Sequence, residues 1–326
     1  MVTTGKTFDV VIAQSDRRGW ENAHLTGIGA SQIAAVLGEH PYQSGVRIWG
    51  EKVGRLEPQD FTDNEAVQIG IELEPFVAQK YQQRTGRTVD QAGELLRSRT
   101  YPWAICTPDY WLMDDAGHWS IPLQIKTTGA FRIGDWAAGP PAAVFWQVQH
   151  EMLVTGAPWA SVGVLVGGQR FLWADVERDD DAIGRIIKAG ESFWQNVVDE
   201  VMPELDGSSD STAVLATLYP TSQTGEVFAL PVEAIEWDVE LAQLDWEKSQ
   251  LETKIDALKN NLRAAIGDAE AGMLHDGSGG YTNKAQTRWS YSLADGQAKP
   301  TANGETVQAV AKSTSFRVLR RSTKGI

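Results

Sequence analysis

The segment Cys106–Thr128, CTPDYWLMDDAGHWSIPLQIKTT, gives the clearest indication of the fold. Residues 100–113 are rich in aromatic and apolar side chains and predict a strand. The polar DDAG at Asp114–Gly117 predicts a turn, and HWSIPLQIKTT predicts a second strand that returns beside the first. The segment therefore predicts an antiparallel hairpin.

Three polar side chains lie where the two predicted strands meet. Asp109 precedes Gln124 by fifteen residues, and Lys126 follows Gln124 by two. Alternate side chains of a strand share a face, so Gln124 and Lys126 project together and the hairpin brings Asp109 beside them. Hard divalent cations prefer oxygen ligands. We expect Asp109, Gln124 and the Ile125 backbone carbonyl to bind such a cation. Lys126 is then placed to hold or deprotonate an attacking water.

A helix before the hairpin offers a further carboxylate. Residues Asn64–Arg84 show helical spacing of apolar residues that ends at Gly86. Pro75 within this pattern predicts either a kink or the first turn of a second helical segment. Glu74 is our candidate for a metal ligand that reaches the cation from the other side, and Glu72 is the competing choice.

The remaining elements up to residue 203 mix helices and strands. Helices are predicted over Ala30–Leu37, Ala142–Val154 and Asp180–Val201, and strands over Ala160–Val166 and Arg170–Val176. The two strands flank Gly167-Gly168, a dipeptide typical of a hairpin turn. This order indicates an α/β or α+β core.

The composition changes after residue 203. Residues 204–228 mix Pro, Gly, Ser, Thr and acids and predict a linker between a domain over 1–203 and an accessory region over 229–326. In that region apolar residues from Trp237 to Leu262 recur at spacings of three, four or seven, which predicts a long amphipathic helix, half of a helical hairpin or coiled coil. TRWSYSL and SFRVLRRS predict short strands that form a small β-element near it.

The overall composition restricts the class of protein. The 326 residues include 43 acidic and 29 basic side chains, a net charge of −14, which disfavours a passive nucleic-acid coat but not an enzyme with a local binding channel. The single cysteine, Cys106, excludes an internal disulfide and a four-cysteine zinc site. No apolar run is long enough to span a membrane, and residues 1–20 lack the pattern of a secretory signal. We therefore expect a cytoplasmic protein without a membrane partner.

Five motifs occur in the order that is typical of one nuclease family. They are GIGASQIAAVLG at 27–38, GIELEPFVAQKYQQRTG at 70–86, CTPDYW at 106–111, LQIKTT at 123–128 and WQVQHEMLVTG at 146–156. Together they resemble the PD-(D/E)xK nucleases, and more narrowly the YqaJ-type viral recombinases related to lambda exonuclease. The resemblance covers residues 17–200 and implies a restriction-endonuclease-like α/β core with a central mixed sheet flanked by helices. The long helix and small β-element would follow it as an accessory region.

The same resemblance implies a function. It predicts a magnesium-dependent DNA exonuclease that degrades linear duplex DNA from its ends, 5′ to 3′, and leaves single strands for phage-type homologous recombination. Mg2+ is the expected cofactor, with Mn2+ as a substitute. A single-strand annealing protein is the expected partner, and a ring-shaped homo-oligomer around DNA the expected assembly. If the protein is phage-encoded, it would act in the cytoplasm of the bacterial host.

The family motifs also imply roles for individual residues. Ser31 and Thr107 are expected near DNA phosphates, although Ser31 is equally suited to an N-terminal helix role. In the last motif Gln149, or alternatively Gln147, is expected near the catalytic Lys126. These two glutamines are two residues apart on a predicted helix, so they cannot share a face.

The sequence departs from the family pattern at two positions. The acidic residue expected before x-Lys is Gln124, whose amide oxygen can bind a hard cation but brings no charge. His24 stands where the family has an arginine for the 5′ phosphate, and Arg17 or Arg18 can substitute for it. Arg132, shortly after the catalytic strand, completes the predicted DNA-binding set.

Other functions stay open at this point. The neutral Gln124 leaves room for a catalytically silent DNA-binding or scaffold protein on the same fold. A structure-specific endonuclease would use the same catalytic residues on branched DNA. The long C-terminal helix also suits a phage structural or assembly protein.

Overall fold

The structure of the chain, a computed structural model, describes residues 7–13, 17–222, 225, 227–276, 278–293 and 309–322. Its contacts divide it into two units, residues 1–223 and 224–326, and each is described by itself.

The first unit mixes helices and strands, as its sequence predicts. Its helices are α1 (Arg17–His24), α2 (Ile33–Val36), α3 (Gly45–Lys52), α4 (Glu65–Thr85), α5 (Ala142–Thr155), α6 (Asp180–Val198) and α7 (Ser209–Leu218). Its strands are β1 (Phe8–Ala13), β2 (Ile28–Gly29), β3 (Val89–Gln91), β4 (Glu94–Ser98), β5 (Ala104–Cys106), β6 (Tyr110–Met113), β7 (Trp119–Thr128), β8 (Trp159–Val166) and β9 (Arg170–Glu177). Two stretches of 3-10 helix, Ala30–Gln32 and Ala130–Trp136, precede α2 and α5.

These strands form two mixed sheets. One has the order β1-β4-β5-β2 and the other β3-β6-β7-β8-β9, and the parallel pairs are β2 with β5 and β7 with β8. Parallel neighbours need a crossover connection, and α5 lies in the crossover from β7 to β8. Mixed sheets flanked by helices confirm the predicted fold class.

Helix α5 lies at the centre of the core. It contacts β4 and β5 of one sheet and β7 and β8 of the other. Trp146 and all residues from 148 to 154 are buried. A helix buried on nearly every side has no polar face, so its polar side chains must find partners inside the protein.

The prediction of one strand over residues 100–113 is wrong. The chain forms two strands here, β5 and β6, which belong to different sheets. The break falls on Thr107–Asp109, where Pro108 has no amide hydrogen to donate to a neighbouring strand. The hairpin itself is confirmed for β6 and β7, with Tyr110 opposite Leu123. Asp109 therefore lies where the chain passes from one sheet to the other.

Helix α4 is continuous, although it contains Pro75. The Asn64 side chain accepts a backbone hydrogen bond at its N-terminus. Gly86 ends the helix with a φ of 73°, a conformation that glycine adopts without steric cost. Pro75 therefore does not begin a separate helix.

The predicted hairpin of β8 and β9 is confirmed. Gly167 and Gly168 have φ values of 58° and 70°, which suit the tight turn between twisted strands. A Cβ atom on Gly167 would lie 2.8 Å from the Cβ of Ala130, so a side chain there would also clash with the segment that follows β7.

The prediction of a linker over 204–228 is wrong for its first half. Residues 209–218 form α7, which contacts α3. Asp210 Oδ2 accepts hydrogen bonds from the Ser44 amide at 2.9 Å and the Ser44 hydroxyl at 2.8 Å. Asp210 Oδ1 accepts one from Arg47 Nε at 2.7 Å. This ionic contact fixes α7 to the first unit, which composition alone could not indicate.

The second unit contains a long helix and a three-stranded antiparallel sheet. They are α8 (Ala234–Ile266), β10 (Ala271–Met273), β11 (Gly280–Leu293) and β12 (Ala309–Ser322). The long helix and the strands at 287–293 and 315–322 are confirmed, and each of these strands is part of a longer one. Across the described residues, none of the helices combines the length and the apolar character that crossing a bilayer requires.

Asp210→Ala should destabilise the first unit, because it leaves the partly buried Arg47 without its carboxylate. We expect the free energy of unfolding to fall by about 1–3 kcal/mol, measured by urea unfolding of the full chain. Asp256→Ala is the matched control, since its ion pair with Lys259 is exposed on α8. It should cost less than about 0.5 kcal/mol. Equal effects of the two variants would contradict the role of Asp210.

Candidate active site

One hydrogen bond joins the two halves of the predicted motif. β6 and β7 are paired as far as Tyr110 and Leu123, so the Ile125 amide lies just beyond the last pair. This amide donates to Asp109 Oδ2 at 2.7 Å. The N–H and C=O of one strand residue point to the same side, so the Ile125 carbonyl also faces the Asp109 side. Asp109 and the Ile125 backbone thus lie at one corner of the sheet.

Gln124 and Lys126 project from the face of β7 opposite to the Ile125 side chain. Lys126 Nζ donates to Gln124 Oε1 at 3.1 Å. Gln124 is only 1% exposed, whereas Lys126 is half-buried and can be reached from solvent. The charge of Lys126 also acts on Asp109: burial raises the pKa of Asp109, and Lys126 and the Ile125 hydrogen bond oppose that shift.

Glu74 of α4 is electrostatically coupled to this corner. Its pKa is raised to about 7, chiefly by burial and also by the negative charge of Asp109, while Lys126 lowers it. Glu72, the competing candidate, is exposed to solvent. The coupling to both Asp109 and Lys126 favours Glu74 as the helical carboxylate of the site.

The available ligand atoms fit a hard divalent cation. Glu74, Asp109, Gln124 and the Ile125 carbonyl offer oxygen only, which Mg2+ and Mn2+ prefer. Within the described residues, no group of three or more His, Cys, Asp or Glu side chains is arranged to hold a metal ion. A site at this corner would therefore depend on the neutral oxygens of Gln124 and Ile125 as well as on two carboxylates.

Sequence reasoning missed a buried carboxyl group coupled to the site. Glu151 of α5 is fully buried, and its Oε1 accepts a hydrogen bond from Gln147 Nε2 at 3.2 Å. Its pKa is raised to about 8, chiefly by burial and also by Asp109, whereas Lys126 lowers it. The four-residue spacing of Gln147 and Glu151, which places them on one helix face, was the available signal.

The structure gives Gln149 backbone partners in the segment before α6, and its expected place near Lys126 stays a prediction. Gln149 Nε2 donates to the Glu177 carbonyl at 2.8 Å, and its Oε1 accepts the Asp179 amide at 3.0 Å. Both ends of the amide are therefore used to connect α5 to the turn before α6. Gln147 is the glutamine that contacts a carboxyl group of the site cluster.

The two predicted phosphate contacts have different surroundings. Ser31 is exposed and lies within the 3-10 stretch, two residues after the N-cap Gly29, whose amide donates to Gln32 Oε1 at 3.0 Å. Thr107 is two residues before Asp109, and its buried Oγ1 has no hydrogen-bond partner among the described residues. A buried hydroxyl without a partner is costly, so Thr107 has an unused donor for a ligand oxygen.

His24 does not provide the charge of the arginine that it replaces. Burial lowers its pKa to about 4, so the ring is neutral at neutral pH. The ring packs edge-on against Trp20, with centroids 4.7 Å apart, and against Gly29. The side chains of Arg17 and Arg18, the possible substitutes, lie outside the described part of the chain.

Arg132 lies in the 3-10 stretch that follows β7. Its guanidinium donates to the Tyr42 hydroxyl at 2.9 Å and to Asp135 at 2.8 Å. Tyr42 and the adjacent Phe131 are among the most exposed aromatic residues, at 68% and 103%. An exposed arginine with exposed aromatic rings is typical of surfaces that contact nucleic acids.

A known domain family matches the region that contains every candidate site residue. Residues 19–158 match the YqaJ-like viral recombinase domain. This match confirms the resemblance drawn from the five motifs. The chain is also similar to the uncharacterized protein YqaJ of Bacillus subtilis (strain 168), with 29% identity over 277 residues, which cover 83% of this chain and 85% of that protein.

Two solved structures resemble the chain over 56% of its length. The alkaline exonuclease LHK-Exo from Laribacter hongkongensis has 22% identity and a TM-score of 0.47, with 94% of that chain covered. A phage related exonuclease from Haemophilus somnus 129PT has 14% identity and a TM-score of 0.40, with 99% of that chain covered.

Glu151→Gln tests the buried carboxyl group through the pH dependence of stability. The pKa of Glu151 is about 8 in the folded protein, above its ordinary value of 4.5. The folded state therefore binds this proton more tightly than the unfolded chain, and the stability that it supplies is lost as the pH rises from 4.5 to 8.

Between pH 5 and pH 8 we expect the wild type to lose stability relative to Glu151→Gln, by an amount on the order of a few kcal/mol. Urea unfolding of metal-free protein measures it. Glu72→Gln, at an exposed carboxyl group, should show no such trend. A wild-type-to-variant difference that is the same at both pH values would contradict the burial of Glu151.

Proposed function

We propose that the chain is a metal-dependent deoxyribonuclease that degrades linear duplex DNA from its ends, 5′ to 3′, and leaves single strands for phage-type homologous recombination. The observation that carries the proposal is the hydrogen bond from the Ile125 amide to Asp109. It holds the Asp109 carboxylate beside β7. Gln124 and Lys126, on either side of Ile125 in this strand, contact each other through their side chains. The match to a viral recombinase domain supports the recombination role.

The ligands would be Asp109, Glu74, Gln124 Oε1 and the Ile125 carbonyl. Mg2+, or Mn2+ in its place, would polarise the scissile phosphate and lower the pKa of a bound water. Lys126 would hold the attacking water or accept its proton, and its charge would offset the negative charge that develops on the phosphate.

The DNA would be bound by groups around this corner. The Thr107 hydroxyl, which has no partner in the part of the chain that the structure describes, and the exposed Ser31 are suited to phosphate oxygens. Arg132 with Phe131 and Tyr42 offers charge and stacking surface. A local surface of this kind is compatible with a net charge of −14, since phosphate contacts depend on nearby charges more than on the total.

The wider context rests on the family resemblance alone. A ring-shaped homo-oligomer, a single-strand annealing partner and a cytoplasmic location stay predictions, as does the 5′ to 3′ direction.

A catalytically silent DNA-binding protein is the second candidate, and one observation favours it. Gln124 stands where the family has an acid, so the cation site has one negative charge fewer. A structure-specific endonuclease would use the same residues on a different substrate.

Asp109→Ala and Lys126→Ala should each lower the rate of magnesium-dependent DNA degradation by at least about a hundredfold, because each removes a group that acts on the metal-bound water or phosphate. A time course on end-labelled linear duplex, with and without Mg2+, measures the rate and the direction together. Circular dichroism should show an unchanged fold.

Glu72→Ala is the control and should retain the wild-type rate. Wild-type rates in both Asp109→Ala and Lys126→Ala would show that the site is assigned wrongly. Binding without cleavage in Mg2+ and in Mn2+ would favour the silent candidate, and cleavage of branched or circular DNA without loss of linear ends would favour the endonuclease.

A further inference from the structure

The first inference concerns two buried polar groups beside the candidate site. Gln124 uses only its Oε1, which accepts from Lys126, and its Nε2 is buried without a partner among the described residues. Glu151 uses only its Oε1, which accepts from Gln147, and its Oε2 is likewise buried and unpaired in the described chain. An unsatisfied amide donor and an unsatisfied carboxyl acceptor are thus both buried at this site.

The two groups are close to each other. The Gln124 side chain is near enough to Glu151, and also to Asp109, to lower the pKa of each carboxyl group by hydrogen bonding. Of these two groups, Glu151 is the one with a buried oxygen that has no partner among the described residues. A hydrogen bond from Gln124 Nε2 to Glu151 Oε2 would satisfy both of these buried atoms. Leaving them unpaired would cost about 1–3 kcal/mol for each group.

We propose that Glu151 is a positioning residue, which accepts a hydrogen bond from Gln124 Nε2 and so holds Gln124 Oε1 toward Lys126 and the cation. Lys126 then donates to Gln124, and Gln124 and Gln147 both donate to Glu151, whose carboxyl group joins the two branches. In this arrangement the amide group, Gln124, lies on β7, and the acid, Glu151, lies on α5. The inference rests on the proposed function, because it concerns the ligand of the same metal site.

The experiment compares Glu151→Met with Glu151→Gln in the full chain. Methionine removes the acceptor for Gln124 Nε2, whereas glutamine keeps one in nearly the same place. Mn2+ binding followed by electron paramagnetic resonance should weaken about tenfold or more in Glu151→Met, as is usual when a ligand loses its support. In Glu151→Gln it should stay within about threefold of the wild type.

The side-chain amide resonances of Gln124, assigned by their loss in Gln124→Met, give a readout that does not need metal or activity. They should shift in both Glu151 variants and become exposed to solvent exchange only in Glu151→Met. Unchanged resonances and unchanged Mn2+ binding in Glu151→Met would overturn the inference. If wild-type protein binds Mn2+ but does not cleave DNA, the proposed function fails while this inference can still stand.

The second inference is independent and concerns α8. The structure describes all 33 residues of this helix, and none of them is buried. One series of its residues follows alternating spacings of four and three, and Lys248 occupies one position of this series. The other positions are apolar: Trp237, Leu241, Leu244, Leu251, Ile255, Leu258 and Leu262. The first six are between 48% and 64% exposed. This pattern is a heptad repeat with one polar core position, which is typical of a coiled coil.

The charges beside the apolar positions disfavour a parallel pair of α8 helices. In a parallel pair each residue at heptad position g faces the residue at position e five places on in the second copy. These pairs would all be of like charge: Glu240 with Asp245, Glu247 with Glu252, and Lys254 with Lys259.

An antiparallel pair brings opposite charges together. With the apolar layers in register, Glu247 faces Lys254 of the second copy and Asp238 faces Lys259, and symmetry repeats each pair. Asp245 and Glu252 face each other near the middle. Lys248 is one turn from both of them on its own helix and offsets this repulsion.

We infer that α8 of one chain binds α8 of a second copy as an antiparallel coiled coil. The self-complementary charges specify a second copy of this chain rather than an unrelated apolar partner. This contact is additional to the DNA-degrading activity and does not depend on it.

The mass of the full chain in solution, measured by light scattering, tests this contact. Leu244→Asp combined with Ile255→Asp should reduce the mass of the wild-type assembly by half, because these two positions face each other across the pair. Val239→Asp is the matched control: Val239 is 66% exposed but lies off the apolar series, so the mass should not change.

Charge reversal tests the direction of the helices. Glu247→Lys alone and Lys254→Glu alone should each weaken the assembly, and the two together should restore it. In a parallel pair each single change would instead strengthen it, which would overturn the antiparallel arrangement. A wild-type chain that stays monomeric, or an assembly indifferent to Leu244→Asp with Ile255→Asp, would overturn the contact itself.

Discussion

The hydrogen bond between the Ile125 amide and Asp109 Oδ2 determines where the candidate site forms. The bond is possible because β6 begins one residue after Asp109. The Ile125 amide of β7 therefore lies beyond the last strand pair and is free to bond to the Asp109 side chain. The break at Pro108 separates the two strands: β5 ends before it in one sheet, and β6 begins after it in the other. Gln124 and Lys126 are then positioned by strand geometry alone. The candidate site is thus a consequence of how the two sheets are separated.

The electrostatics of this corner follow from the packing of α4 and α5 around it. Asp109, Glu74 and Glu151 all have raised pKa values, each chiefly because of burial. The charge of Lys126 opposes the shift in all three. Three carboxyl groups that share the influence of one ammonium group would gain from a further positive charge, which is the physical reason to expect a cation here.

Much of the fold and the central motif could be predicted from the sequence, because turns and strand alternation are local. The β6–β7 hairpin and the Gly167-Gly168 turn needed only a few neighbouring residues. The faces of α5 could not be predicted, since a helix buried on nearly every side has no amphipathic pattern to separate Gln147 from Gln149. The place of Glu151 depends on the packing of α5 between the two sheets, which is a property of the tertiary fold.

Two further differences have non-local causes. His24 is an ordinary polar residue in the sequence, and its pKa is lowered to about 4 by burial and by the charge of Lys52, both of which depend on the tertiary fold. Helix α7 lies in a Ser- and Thr-rich stretch whose composition does not indicate a helix. Its position is fixed by Asp210, which forms hydrogen bonds to residues more than 160 positions earlier.

The contact of Asp210 determines where the C-terminal part of the chain can be replaced by another protein segment. A chimera that joins a foreign tail after residue 203 would discard α7 and leave Arg47 without its counter-ion. A junction after residue 222 keeps the contact between Asp210 and Arg47. Natural or engineered fusions that exchange accessory regions should therefore place the junction there.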